Sequence, residues 1–200
     1  MTTITWLQRK FGKEIYLGHT AKVKRMMNDP KITVDVEHLG IACKMGWLEI
    51  VRALIDHPNI VICLTHLADA CFRNHIEIVR LLLSTPFVFP IRQCIDYACW
   101  GDHADILRLL LSDHRIYDWR YAANETTPRT NLNDYLCKAC RLGKTDIVRV
   151  LLQDDRFNIH IQNIRCTVRY VDCYEQLCLL LDVHRLQLTI SDHLIGKVIA

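Results

Sequence analysis

The sequence predicts an all-α fold: an α-solenoid of stacked helix-turn-helix repeats, joined by short turns. The first observation behind this prediction is a recurring Ala-Cys pair. Each pair has an acidic residue seven positions after its alanine, at Ala42/Glu49, Ala70/Glu77, Ala98/Asp105 and Ala139/Asp146.

The second observation is a measurable period. The apolar residues that close the second helices are spaced by 28, 28, 28, 41 and 29 positions, counted along Met27, Ile55, Leu83, Leu111, Leu152 and Leu181. Internal repetition at a fixed period of this size is typical of solenoids. The spacing of 41 is interpreted as one period with an insertion between Tyr117 and Asn133.

The third observation is an apolar stripe at helical spacing on each second helix, for example Ile78, Val79, Leu82 and Leu83. Helices this short are marginal in water by themselves. The stripes are therefore expected to bury against the same stripes of neighbouring repeats, because burial of each large apolar side chain contributes about 1.5–3 kcal/mol.

Taken in order, the chain is expected to form a single domain, 1–200, that begins with a divergent repeat and an N-terminal cap around Trp6. The predicted repeats are 9–32, 37–60, 65–88, 93–116, 134–157 and a degenerate 163–186, with a loop insertion at 117–133. Residues 190–200 resemble the start of one more first helix and are predicted to be a C-terminal cap, since terminal repeats of solenoids are atypical.

Composition excludes several classes of protein. The 25 basic residues nearly balance the 22 acidic ones, so strong non-specific nucleic-acid binding is not indicated. No signal-peptide pattern and no apolar run of about 20 residues occurs, so no membrane partner is expected. With no export signal, the 10 cysteines are expected to be reduced thiols in the cytoplasm.

The pattern L-x-x-A-C-x-x-G-x-x-E/D-I-V-R-x-L-L, read at 39–55 and 136–152, resembles the ankyrin repeat. The endings LLSDHRI and LLQDDRF resemble divergent ankyrin arrays of large DNA viruses and amoebae, in which case the location would be the host cytoplasm. The ankyrin period is about 33 residues. Because this period is shorter and the T-P-L-H segment is mostly missing, we expect short turns in place of β-hairpins.

The resemblance implies a non-catalytic module that binds another protein on its concave face, with no cofactor. The predicted contact row takes the position that follows each Ala-Cys pair, and the equivalent position in the first and sixth repeats. Two further predicted contact residues are Arg73, which follows Phe72 in the third repeat, and Trp119 in the insertion. The row consists of Tyr16, Lys44, Phe72, Trp100, Arg141 and Tyr170. Aromatic residues and arginine are enriched at interface hot spots. The alternative is that Phe72 and Trp100 pack on each other or under the inserted loop. The chain is expected to be monomeric.

A zinc- or thiol-dependent site is the alternative function. Cys137 and Cys140 have a ligand-like spacing, and further thiols are Cys94, Cys99, Cys166, Cys173 and Cys178. A structural zinc site needs four converging ligands. The repeat itself explains Cys43, Cys71, Cys99 and Cys140 as small buried residues, so core packing is favoured. A Cys71-His75 nucleophile has no orienting third group, and His38 and His66 are expected to be surface residues at helix starts.

Basic residues also form a register, Lys24, Arg52, Arg80, Arg108 and Arg149. A row of this kind suits phosphates, and nucleic-acid binding along it is a second alternative. An acid lies three residues before all of them except Lys24, and such pairs contribute about 0.2–0.5 kcal/mol each on a solvated helix face. A self-neutralised surface is therefore favoured, and nucleic acid is an unfavoured partner.

Overall fold

The structure, a computed structural model, describes residues 3–85, 92–113, 132–154 and 178–180. The described residues form helices and turns and contain no strand, which confirms the predicted all-α class. The helices are α1 Thr3–Tyr16, α2 Thr20–Met27, α3 Val36–Met45, α4 Leu48–Ile55, α5 Leu64–Phe72, α6 Ile76–Leu83, α7 Arg92–Gly101, α8 Ala104–Ser112, α9 Leu132–Arg141 and α10 Thr145–Leu152. Residues 178–180 are also helical.

The helices pack in pairs, and the pairs stack into two layers. Each odd-numbered helix packs against the even-numbered helix that follows it. The odd-numbered helices, which we call first helices, also pack on one another in the order α1, α3, α5, α7, α9, and the second helices do so in the order α2, α4, α6, α8, α10. This is the stacked solenoid that the repeated stripes predict.

The core lies between the two layers and runs continuously along the stack. Leu54, Leu82 and Leu110 are fully buried at equivalent positions of α4, α6 and α8. The Ala-Cys positions are also buried, which confirms the prediction that Cys43, Cys71, Cys99 and Cys140 are core residues. Small side chains there let consecutive first helices approach closely.

The connections between repeats are short. Residues 28–35 link α2 to α3 and residues 56–63 link α4 to α5, both without strands, in agreement with the expected short turns. At the start of α3, the Asp35 carboxylate accepts a hydrogen bond from the backbone N–H of His38 at 3.2 Å, which caps the helix.

Three predicted segments fall wholly or largely outside the described residues: the insertion at 117–133, the sixth repeat at 163–186 and the cap at 190–200. Helix α9 begins at Leu132, so the last two positions assigned to the insertion are helical.

None of the described helices combines the length and the hydrophobicity needed to cross a bilayer.

Candidate partner-binding face

The turn inside each helix pair fixes where the contact row lies. Five residues in one register adopt a left-handed backbone: Gly18, Gly46, Asn74, Asp102 and Gly143, with φ of 73°, 80°, 61°, 62° and 67°. Glycine, asparagine and aspartate are the residues that tolerate this conformation best. The contact-row residue stands two positions before each of them, so the backbone places its side chain at the end of every first helix.

Ring side chains join this row to the next repeat. The indole Nε1–H of Trp47 donates to the Tyr16 carbonyl at 3.3 Å. The His75 Nε2 lies 3.2 Å from the Lys44 carbonyl, and the His103 Nε2 lies 3.3 Å from the Phe72 carbonyl. Each ring sits at the N-cap of a second helix, one position after the left-handed residue. The carbonyls of the row are thereby held at a repeating spacing.

Sequence reasoning missed these bridges. It considered the His75 ring only as a partner of the Cys71 thiol and made no prediction for the rings of Trp47 and His103. The available signal was a nitrogen-bearing ring recurring every 28 positions, at Trp47, His75 and His103. The following repeat has Lys144 in this position, and its ammonium group lies 3.5 Å from the Asp102 carboxylate of the preceding repeat.

The structure leaves the described row residues at the surface. Tyr16 is 57% exposed, Phe72 51% and Trp100 50%, and Lys44, Arg73 and Arg141 are exposed as well. Tyr170 and Trp119, the remaining predicted contact residues, lie outside the described residues. Half-exposed aromatic side chains on rigid helices are suited to bind a partner with little ordering cost.

Phe72 and Trp100 do not stack directly on each other, because Tyr97 stands between them. The ring centroids of Phe72 and Tyr97 are 5.4 Å apart at an interplanar angle of 69°, and those of Tyr97 and Trp100 are 6.0 Å apart at 67°. We call Phe72, Tyr97 and Trp100 the aromatic cluster. Edge-to-face pairs of this kind contribute about 0.5–1.5 kcal/mol beyond area burial.

Cationic groups lie over the rings of this cluster. The Lys138 ammonium group is 4.4 Å from the Trp100 ring centroid, and the Arg73 guanidinium carbon is 5.7 Å from that of Phe72. The cluster and its cations thus span three consecutive first helices, α5, α7 and α9. Tyr97 and Lys138 were not predicted as site residues, since their register also contains Lys13, Ile41 and Asp69 and has no shared chemistry.

The second helices present a different surface. Arg52 lies 3.6 Å from Glu49, Arg80 lies 3.8 Å from Glu77, and Arg108 lies 2.6 Å from Asp105, each within one helix. Lys24 of the first repeat is 4.0 Å from Glu49 of the second. These ion pairs confirm the predicted self-neutralised surface and weaken the case for a phosphate-binding row.

The described residues do not assemble a site for the zinc or thiol alternative. No group of three or more metal-ligating side chains comes together among them. Burial raises the pKa of the Cys43 and Cys99 thiols to about 12, so both stay protonated at neutral pH. A hydrogen bond with Cys94, with burial adding to it, raises the pKa of Cys71, and the ring of its proposed partner His75 faces the Lys44 carbonyl.

The prediction that His38 and His66 are surface residues is wrong. His38 is 8% exposed and His66 only 1%. The backbone N–H of Cys63 donates to Nδ1 of His66 at 3.1 Å, which leaves Nε2 as the donor toward the Val36 carbonyl, also at 3.1 Å. His66 therefore connects two repeats in its neutral form, and burial lowers its pKa.

No protein-family model matches the sequence, and no curated protein matches it. The fold is similar to that of a solved structure, the crystal structure of the human ASB11 ankyrin repeat domain. That likeness has a TM-score of 0.61, covers 86% of this chain and 82% of that chain, and comes with 19% sequence identity. The resemblance to ankyrin repeats is thus confirmed as a statement about the fold. The resemblance to viral and amoebal arrays stays a prediction.

Proposed function

We propose that this chain is a non-catalytic module that binds another protein across its first-helix face, the surface formed by the last turns of α1, α3, α5, α7 and α9. The observation that supports this proposal most strongly is the aromatic cluster, in which Phe72 and Trp100 remain half exposed and Tyr97 is partly buried. Contiguous exposed aromatic surface on a folded protein is typical of interaction sites.

The rigidity of the face supports the same conclusion. The left-handed turns and the bridges from Trp47, His75 and His103 hold the row carbonyls in place before any partner arrives. Binding to an ordered surface loses less conformational entropy than binding that orders a loop. The resemblance to ankyrin repeats makes this face the concave side of the stack, and we propose that the partner lies there.

The catalytic alternatives receive no support from the described residues. The buried thiols have raised pKa values, and no described side chains form a nucleophile with an oriented base. We therefore propose that the chain acts as a scaffold without a cofactor, as a monomer, in a reducing compartment such as the cytoplasm. Free thiols are found at Cys43, Cys63, Cys71, Cys94, Cys99 and Cys178, which supports this location.

The test is quantitative capture of partners from a cell extract by three forms of the chain. These are the unchanged chain, Phe72→Ala/Trp100→Ala, and Arg52→Ala/Arg80→Ala as a control on the second helices. If the proposal is right, the Phe72→Ala/Trp100→Ala variant binds the specific partners at least about 30-fold more weakly than the unchanged chain. The reason is that hot-spot truncations cost about 2 kcal/mol or more. The control retains them.

Thermal melts of all three forms accompany the capture, so that unfolding is not mistaken for lost binding. Equal capture by the Phe72/Trp100 variant, with its fold intact, would contradict the proposed face.

A further inference from the structure

The last turns of the first helices carry an unbalanced charge. Their basic side chains are Lys13, Lys44, Arg73, Lys138 and Arg141. The acidic side chains in the same turns are Glu14, which is buried and paired with His19 and Lys22, and Asp69, which is partly buried. The formal charge of the whole chain is only +3, so this concentration of positive charge belongs to one face and does not reflect the composition.

In the part of the chain that the structure describes, these cations form no ion pair with a carboxylate. Across the described residues, none of the side chains of Lys13, Lys44 and Arg141 takes part in an ion pair, and Arg73 and Lys138 instead lie over aromatic rings. The contrast with the second helices is direct, because there the arginines of α4, α6 and α8 each have an acid on the same helix. A partner that brings carboxylates would supply the countercharge that the described residues do not.

The arrangement of charge and rings is also directional. Lys13 and Lys44 lie toward the N-terminal end of the stack, the aromatic cluster lies in the middle, and Lys138 and Arg141 lie toward the C-terminal end. Positive groups thus flank an apolar centre along the stacking direction.

The rings are poorly placed to stack on nucleic-acid bases. A stacking platform needs an open aromatic face. Here a cation lies over Trp100 and another over Phe72, and Tyr97 meets both rings edge to face. The cluster offers edges and cation-covered faces, which suit a side chain inserted from above better than a stacked base. The observations therefore favour a protein segment over a single-stranded nucleic acid.

We infer that the partner segment is acidic, with carboxylates on both sides of a central aromatic or aliphatic residue. This inference rests on the proposed function and specifies the chemistry of its partner. Lys44 and Arg141 are separated by three repeat steps of about 8–10 Å, hence roughly 24–30 Å. An extended chain covers about 3.3–3.6 Å per residue, so about seven to nine residues span the distance.

The experiment is a selection on the full chain from a display library of random linear peptides of about twelve residues, longer than this span. The selected peptides are synthesised and titrated against the unchanged chain at low and high salt. The expected ligands have Asp or Glu on both sides of one aromatic or aliphatic residue, and their affinity falls as salt is raised, because exposed charges are screened.

Two charge-reversal variants provide the matched comparison. Lys44→Glu/Lys138→Glu reverses charge on the first-helix face, and Arg52→Glu/Arg80→Glu changes the net charge equally on the second helices. The first is expected to weaken the selected peptides by about tenfold or more, and the second to leave their affinity within about twofold, because the affected charges lie on the other layer.

The outcomes separate this inference from the proposed function. Selected peptides that need Phe72 and Trp100 but are not acidic would overturn the inference and leave the proposed function standing. Peptides that bind Phe72→Ala/Trp100→Ala as tightly as the unchanged chain would overturn both. A selection that retains no peptide also overturns the acidic-segment inference. So does binding of single-stranded oligothymidylate that weakens with salt and is lost in Lys44→Glu/Lys138→Glu.

Discussion

The two layers of this molecule are built from the same repeats, yet they differ in whether their charged side chains form ion pairs. The second helices pair each described arginine of α4, α6 and α8 with an acid three residues earlier. The first helices end in aromatic and basic side chains, and no ion pair among the described residues involves these basic groups. The difference teaches that charge on a solenoid indicates binding only where it is left unpaired.

The physical cause lies in the repeat itself. An acid and a base at i and i+3 neutralise each other locally and contribute only a few tenths of a kcal/mol. The last turn of a first helix, in contrast, is followed at once by a left-handed residue and a bridging ring, and Trp47, His75 and His103 hold the row's backbone. The side chains of this last turn are not needed to hold the backbone, so the fold does not restrict which residue types occupy these positions.

The largest expected loss of stability comes from a substitution in the core that the two layers share. Leu82 is fully buried between them, so Leu82→Ala is expected to lower the free energy of unfolding by about 2–5 kcal/mol. Leu83→Ala is the matched control, because Leu83 is only partly buried and should cost less. Chemical denaturation of both variants measures the difference. Equal losses would show that the stripe does not face the core as described.

The next effect tests whether the rings fix the first-helix row. Gly46 has a φ of 80°, and an added Cβ would lie 2.5 Å from the His75 ring, whereas Gly143 has a φ of 67° and nothing within 4 Å. Both Gly→Ala variants pay about 1–2 kcal/mol for the left-handed backbone. Gly46→Ala should lose about 0.5–1.5 kcal/mol more, since it also disturbs the hydrogen bond of His75 to the Lys44 carbonyl.

Denaturation curves for the two glycine variants, measured side by side, give this difference. Indistinguishable stabilities would mean that the His75 bridge contributes nothing to holding the row.

A smaller effect on stability depends on pH and distinguishes the buried His66 from histidines that are more exposed. Burial lowers the pKa of His66 from its ordinary value. A folded-state pKa below the unfolded one means that the unfolded chain binds the proton more readily. The stability that neutral His66 provides is therefore present above about pH 6.5 and is lost as the pH falls below it.

Thermal melts between neutral and mildly acidic pH test this sign. His66→Gln should flatten the dependence and cost about 1 kcal/mol at neutral pH through the altered hydrogen bonds to Cys63 and Val36. His57→Gln is the control, because the His57 ring accepts a local hydrogen bond from the Asn59 backbone N–H. A pH dependence unchanged by His66→Gln would refute the assignment.

The smallest expected effect is on the second-helix face. Glu77→Gln removes the carboxylate 3.8 Å from Arg80, and both side chains are exposed, so the loss of stability should stay below about 0.5 kcal/mol. Lys44→Gln should likewise leave stability unchanged, but it should weaken a first-helix ligand. Melting temperatures and one binding titration on each variant decide it. Weaker binding by Glu77→Gln than by Lys44→Gln would reverse the roles of the two faces.

Much of the fold can be predicted from the sequence because the positions that repeat along the chain are also the positions that are buried. Leu54, Leu82 and Leu110 recur every 28 residues and face the core, as their stripe requires. The contact row was also predictable in part, since Phe72 and Trp100 recur at one position and remain half exposed.

Contacts between repeats were harder to predict. Tyr97 and Lys138 reach the aromatic cluster from a register whose other members share no chemistry, so periodicity gives no signal for them. His66 was misassigned because a polar residue at a helix start is usually solvated. Its burial depends on a carbonyl acceptor 30 positions earlier, at Val36, which only the stacking of two repeats brings into reach.

Site-specific photo-crosslinking tests the division between the two faces most directly. A photoreactive phenylalanine analogue is placed at Phe72 in one variant and at Arg80 in another, and each is irradiated with a bound partner or selected peptide. We predict a covalent adduct from position 72, on the first-helix face, and none above background from position 80. An adduct formed mainly from position 80 would contradict the assignment of the binding face.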